Sequence, residues 1–293
     1  MIYFLTINYY STNLITQLIS SIQSSKDTPH KTVIINNSPD DDSIHLLKSE
    51  LVLILQPETN LGFGNGCNLG LSWIYAQDPQ ATVWIINPDA YLLQTSLEKV
   101  SLFFDTYPEL SIVGTIIYTP TKEVWFGGGR FICRTGTIVD LDLSTNSDTA
   151  YVNCDWVSGC SLLINLRNFL ECPQFDPAYF LYYEDFDFCR RYANLGHLIA
   201  VTQQLSVIHH PSTITNRNIF RKIQHSTYSY LLTLEKYTNK LVLLLRLTRL
   251  LVYACILILI KPKEAFGKLY GVLLYLKRSL PSCHIHYWLT CLF

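Results

Sequence analysis

The sequence predicts an α/β fold, a mostly parallel mixed sheet followed by a C-terminal helical segment. Three observations predict it. Short β-type runs at residues 3–7, 32–35, 52–55 and 83–86 alternate with helical patterns, the signature of βαβ units. Hydrophobic residues make up 49% of the 293 positions, enough for a sizeable core. Residues 241–260 carry 17 apolar side chains in 20 positions, too long a run for a strand. The expected division is an α/β domain over 1–215 and a helical, basic and hydrophobic region over 216–293.

The elements follow in order. Met1 runs straight into an apolar first strand, with no basic stretch or cleavage site of the kind a signal peptide carries. Leu14, Ile15, Leu18, Ile19 and Ile22 then recur at helical spacing behind Ser11 and Thr12 as caps. Ligands of such sheets bind beyond the carboxyl ends of the strands, which places weight on three polar strand ends. These are Asn8, Tyr9 and Tyr10; Asn36, Asn37 and Ser38 with Asp40, Asp41 and Asp42; and Asn87, Pro88 and Asp89. Between the third and fourth strands Gly62, Gly64, Gly66 and Gly70 read as a loop leading into a helix, whose N-terminus attracts anions. Residues 121–151 lose periodicity and read as one long irregular region, with a polar run at 144–149.

The densest chemistry lies in FLYYEDFDFCRR, residues 180–191, where Glu184, Asp185 and Asp187 sit among aromatic residues. Burial and mutual repulsion raise the pKa of such acids and suit one of them to accept a proton. The same stretch reads as a helix with Phe188, Tyr192 and Leu195 on one face and Gly196 ending it.

Charge is unevenly spread. Between residues 240 and 278 eight Lys or Arg face one acid, Glu264, so this part carries +7 and the remainder −8 within a formal total of −1. An acidic body with a basic, greasy end argues against nucleic acid as a partner and for an anionic membrane surface, on the cytoplasmic face. Arg246 and Arg249 oppose a membrane span, each costing about 2.5–3.5 kcal/mol at a helix centre. A helix lying in the interface, its basic side toward lipid phosphates, is the favoured reading, with a second such segment over 266–280; core packing and a homodimer contact are the alternatives. Nine cysteines without a CxxC pair point to reduced thiols and away from a zinc cage.

Taken together, TINYYS, INNSPDDDS, NLGFGNGCNLG, INPDA, WVSGCSLLI, FDPAYFLYYEDFDFCRR and the distant His209 resemble family 2 glycosyltransferases, in particular the bacterial rhamnosyltransferase-like branch, over residues 2–210. The resemblance implies a GT-A fold and inverting transfer of a sugar from a dTDP- or UDP-sugar to a hydroxyl of a saccharide or lipid-linked acceptor, as in assembly of bacterial surface polysaccharide. It assigns the donor to Asn8, Tyr9, Asn36 and Asp41, with Gly62, Asn65, Asn68, Asn87 and Arg191 as further nucleotide-sugar contacts. Asp89 and His209 become ligands of Mg²⁺ or Mn²⁺, Asp185 the catalytic base, and Glu184 its catalytic neighbour. Asn36 and Asn87 stand where the family often has acids, which keeps open a degenerate, membrane-bound partner subunit. A sugar-phosphate nucleotidyltransferase fits less well, because TINYYS lacks Lys and Arg.

Overall fold

A computed structural model describes residues 1–23, 28–93, 96–141, 149–211 and 214–278. The chain divides into two compact units, Met1–Ile132 with Thr137–Ile214, and Cys133–Gly136 with Thr215–Phe293.

The first unit is built on a mixed sheet. β1 (Ile2–Asn8) is buried along its whole length, as a continuous apolar run should be when both faces are covered. It pairs in parallel with β2 (His30–Asn36) and β4 (Thr82–Ile86), and β2 continues to β3 (Val52–Leu55). On the other side β11 (Ser161–Asn165) runs antiparallel between β4 and β6 (Leu110–Tyr118). β12 (Leu198–His209) follows parallel to β6, and carries β5 (Ala90–Leu92) and β10 (Val152–Asn153) antiparallel. Helix α1 (Thr12–Gln23) buries Ile15, Leu18, Ile19 and Ile22, the stripe its spacing predicts. The unit also holds α2 (Gly62–Gln77), α3 (Ser96–Thr106) and α4 (Glu184–Asn194). The sheet expected from the sequence is therefore present, with antiparallel members inserted.

Three local expectations change. The glycines read as a loop lie inside α2. They are there for proximity: a Cβ on Gly70 would collide with Leu5, and one on Gly66 would stand 3.1 Å from Ile7 Cδ1. The region read as irregular contains β7 (Val124–Phe126), paired with β6, and a hairpin of β8 (Gly129–Ile132) and β9 (Thr137–Asp140). Of the polar run at 144–149, residues 144–148 lie outside the described residues. In α4, Phe188 is fully buried but Leu195 is 72% exposed, because the helix ends at Asn194 before Gly196 turns left-handed at φ 93°.

The second unit contains α5 (Ile219–Tyr237), α6 (Lys240–Leu257) and α7 (Pro262–Arg278). Asn218 and Asn239 cap the first two by accepting from the amides of Arg221 and Val242. Gly267 and Gly271 let α7 lie close against α5, where a Cβ on Gly271 would come within 2.6 Å of the Gln224 carbonyl oxygen. No helix among the described residues is long and apolar enough to cross a membrane. The segment expected over 266–280 is α7 as far as Arg278; 279–280 and Cys283 and Cys291 lie outside the described residues. The seven cysteines within them are free thiols.

Candidate active site

Asn8 and Asn36 end neighbouring parallel strands in matching register, so their side chains meet. Asn8 Nδ2 donates to Asn36 Oδ1 at 2.9 Å, and Asn8 Oδ1 accepts from the amide and the hydroxyl of Ser11. Asn36 Nδ2 donates in turn to Gln56 Oε1 at 2.9 Å and to the Asp41 carbonyl at 3.4 Å. Asp41 caps a short 3₁₀ turn, its carboxylate accepting from the Ser43 hydroxyl and amide, and these bonds hold its pKa below the ordinary value. Tyr9 is exposed beside this network, its ring 5.1 Å from that of Tyr10. These four predicted residues are thus brought together at one strand edge, with Gln56 as a partner the sequence did not single out.

The start of α2 is sealed by the protein itself. Leu61 N donates to Asn37 Oδ1, Gly62 N to Asn60 Oδ1 and Phe63 N to the Phe180 carbonyl. Gly62 has φ 77°, and a Cβ there would collide with that carbonyl. The first amides of α2, expected to face an anion, are spent on the fold. Asn65 Nδ2 donates to the Leu61 carbonyl, and Asn68 clamps the backbone of Phe175 through both its amide groups. Arg191, expected at the donor, instead donates to Asp187 Oδ2 and to the Gln174 carbonyl, each at 2.7 Å.

The acids of α4 divide by environment. Tyr182 and Tyr183 precede the helix with φ 71° and 65°, a left-handed pair that swings the chain into its first turn. Asp187 is fully buried and bound to Arg191. Glu184 is buried with Oε2 lacking any hydrogen-bond partner. Burial, then the charge of Asp185, pushes its carboxyl well above the ordinary range. Asp185 is half-buried: Oδ2 accepts from Gly159 N at 2.8 Å and Oδ1 from Phe186 N at 2.8 Å. Burial raises its pKa, and the two amides hold part of that rise back.

Asp89, on the turn after β4, is buried against His209 at the end of β12, with His209 Nε2 3.2 Å from Asp89 Oδ1. His210 N closes the turn on the Asp89 carbonyl. His209 Nδ1 is buried without a partner, and the exposed Trp125 ring stands 4.8 Å from the imidazole. The two acids approach a common segment. Gly159 N reaches Asp185, while the carbonyl of the next residue, Cys160, accepts from the half-buried Asn87, two residues before Asp89. The buried Cys160 thiol is raised by desolvation first, then by Asp89 and Asp185 together.

The Asp89 carboxylate and the His209 Nε2 that faces it at 3.2 Å fit a hard divalent cation that takes its remaining oxygens from a diphosphate and water. No group of three or more His, Cys, Asp or Glu able to hold a metal occurs among the described residues, so a cage made of protein alone is not formed there. Gly159 was read only within WVSGCSLLI, without a site role, because it acts through its backbone, and Trp125 lay in the stretch without periodicity.

A mixed sheet with acids at its carboxyl ends and a carboxylate-bearing helix beside them defines a nucleotide-sugar-type α/β domain of the GT-A class. The profile of Glycosyl transferase family 2 matches residues 4–162, more than half of the chain, and the chain belongs to that family. Rhamnosyltransferase WbbL of Escherichia coli (strain K12) is 23% identical over 256 residues, 79% of this chain and 92% of that protein. N-acetylglucosaminyl-diphospho-decaprenol L-rhamnosyltransferase of Mycobacterium tuberculosis is 23% identical over 225 residues, 69% of this chain and 73% of that protein. Among solved structures, GalNAc-T7 with UDP, GalNAc and Mn²⁺ aligns at TM-score 0.56 and 12% identity, covering 79% of this chain and half (50%) of that one. Mannosyltransferase PcManGT from Pyrobaculum calidifontis, in complex with GDP-Man and Mn²⁺, aligns at TM-score 0.53 and 12% identity over 95% of this chain and 88% of that one. At these identities the structural likeness speaks for the fold alone.

Proposed function

We propose that this glycosyltransferase moves a sugar, with inversion, from a dTDP- or UDP-sugar to a hydroxyl of a saccharide or lipid-linked acceptor in bacterial surface polysaccharide synthesis. The observation that carries the reading is that Asp185 and Asp89 both lie near Gly159–Cys160: Gly159 N donates to Asp185, the Cys160 carbonyl accepts from the amide of Asn87, two residues before Asp89, and both acids raise the Cys160 thiol. Asp185 is the proton acceptor. It is half-buried, and its pKa is raised by burial, so its affinity for a hydroxyl proton exceeds that of a solvated carboxylate. Gly159 N fixes the orientation of Oδ2. Glu184, raised well above the ordinary range, shields the base from a second full charge.

Asp89 and His209 would hold Mg²⁺ or Mn²⁺, which when bound neutralises charge on the departing diphosphate. The exposed Tyr9 and the half-buried Asp41, held in place by the buried Asn8–Asn36 pair, would receive the nucleotide. The rhamnosyltransferases among the relatives, one of them named for a decaprenol-linked acceptor, support a lipid-linked acceptor here and a peripheral place on the inner membrane face.

Transfer assays against a panel of dTDP-, UDP- and GDP-sugars, with and without Mn²⁺, test the reading. Turnover with one donor, lost on chelation and lost in Asp185→Asn, is the expected result. Full turnover by that variant would remove Asp185 from its role.

A further inference from the structure

Helix α6 is apolar on both sides, and only one side is covered by the described residues. Leu243, Leu247 and Leu250 pack on the cluster formed by Leu231, Val272 and Tyr275, and Ala254 and Leu257 are buried as well. On the opposite side Leu241, Leu244, Leu245, Val252 and Ile256 recur at helical spacing, Leu259 follows just past the helix end, and each is more than half exposed. A helix facing water carries polar residues on its outer side, so this stripe is made for a different medium.

We propose that the outer face of α6 lies in the headgroup boundary of an anionic bilayer, with these six side chains directed into the acyl region. The proposal sharpens the peripheral localisation above and does not depend on the transfer chemistry. The charges select the occupant. Lys240 stands at one end of the stripe, Lys261 and Lys263 at the other, and the exposed Arg249 lies midway. A second copy of the chain would set these cations against their own kind, whereas anionic headgroups complement them. The orientation also differs from the one the sequence suggested. Arg246, read as part of a lipid-facing basic side, donates through Nε and Nη2 to the Thr135 carbonyl at 2.9 and 2.7 Å. The open side is the greasy one, bordered by cations. Eighteen helical residues span about 27 Å, and no helix among the described residues is long and apolar enough to cross a membrane, so α6 would lie flat.

Flotation of the full chain with phosphatidylglycerol-containing vesicles tests this, with phosphatidylcholine vesicles for comparison. The wild type should float with the anionic vesicles and much less with the zwitterionic ones. Leu245→Glu combined with Ile256→Glu should lower the bound fraction by about tenfold or more, with an unchanged circular dichroism melt because both sites are exposed. In a separate variant, Ile256→Trp should add fluorescence that lipids brominated on their acyl chains quench. Unchanged flotation of the double variant, or an unquenched tryptophan at 256, would overturn the proposal. So would a lipid-free dimer, seen by light scattering, that the double variant splits.

Discussion

At the ends of β1 and β2 every polar side-chain atom of Asn8 and Asn36 has a partner, whereas one turn of α4 leaves Glu184 Oε2 buried with none. Both regions are polar groups inside an apolar body. The first is wired as a scaffold: its hydrogen bonds fix the loops that follow two strands, and it gains by being complete. The second carries the cost of a buried carboxyl oxygen with no partner, which a fold retains where the group has work to do. Residue type does not separate the two, but the count of unspent atoms does.

The largest expected effect breaks the comparison at its reactive end. Asp185→Asn keeps the shape but loses basicity and one of the two amide contacts, since its NH2 cannot accept, so transfer should fall by about 10²- to 10⁴-fold with nucleotide-sugar affinity unchanged in calorimetry. Asp187→Ala probes the acid that behaves like scaffold. It strands Arg191 beside a cavity and should cost about 2–3 kcal/mol in urea unfolding, below the range for fully buried pairs because Arg191 keeps partial access to water. Gly62→Ala should cost about 1–3 kcal/mol, since it meets both a left-handed backbone and the Phe180 carbonyl.

The smallest effect sharpens the contrast by pH. Glu184 binds its proton more tightly folded than unfolded, so its contribution to stability is complete below the ordinary carboxylate pKa. That contribution is lost as pH rises through the raised folded value. Glu184→Gln removes this loss, and its melting temperature should gain on the wild type as pH rises across that window. A gap between the two melts that stays constant with pH would contradict the raised pKa.

Much of the first unit was legible because its strands are long apolar runs and α1 has a clean stripe. The hairpin of β8 and β9 was not, since its strands are short and each has exposed positions, so neither periodicity nor composition rises above a loop. The glycines of α2 misled for a physical reason. Glycine disfavours a helix locally, but contact with Leu5 and Ile7 on β1 requires its absent side chain, and packing overrides propensity. The three acids of α4 were legible as a cluster, and Asp89 as a strand-end acid. Their separate roles were not, because Asn68 meets Phe175 across 107 residues and Gly159 meets Asp185 across 26 through a backbone amide. The exposed stripe of α6 was hidden as well, since a sequence gives the apolar faces but not which of them is covered.

The adjacent left-handed tyrosines carry a consequence for how the protein fails. Their conformation is unfavourable by about 1–3 kcal/mol each, and the nearby Phe180 carbonyl accepts from the amide of Phe63 at the start of α2. The aim of the catalytic turn is thus imposed by its neighbours and is not preferred by its own residues. Gentle warming should release that aim while the sheet is still whole, so the protein falls silent before it melts.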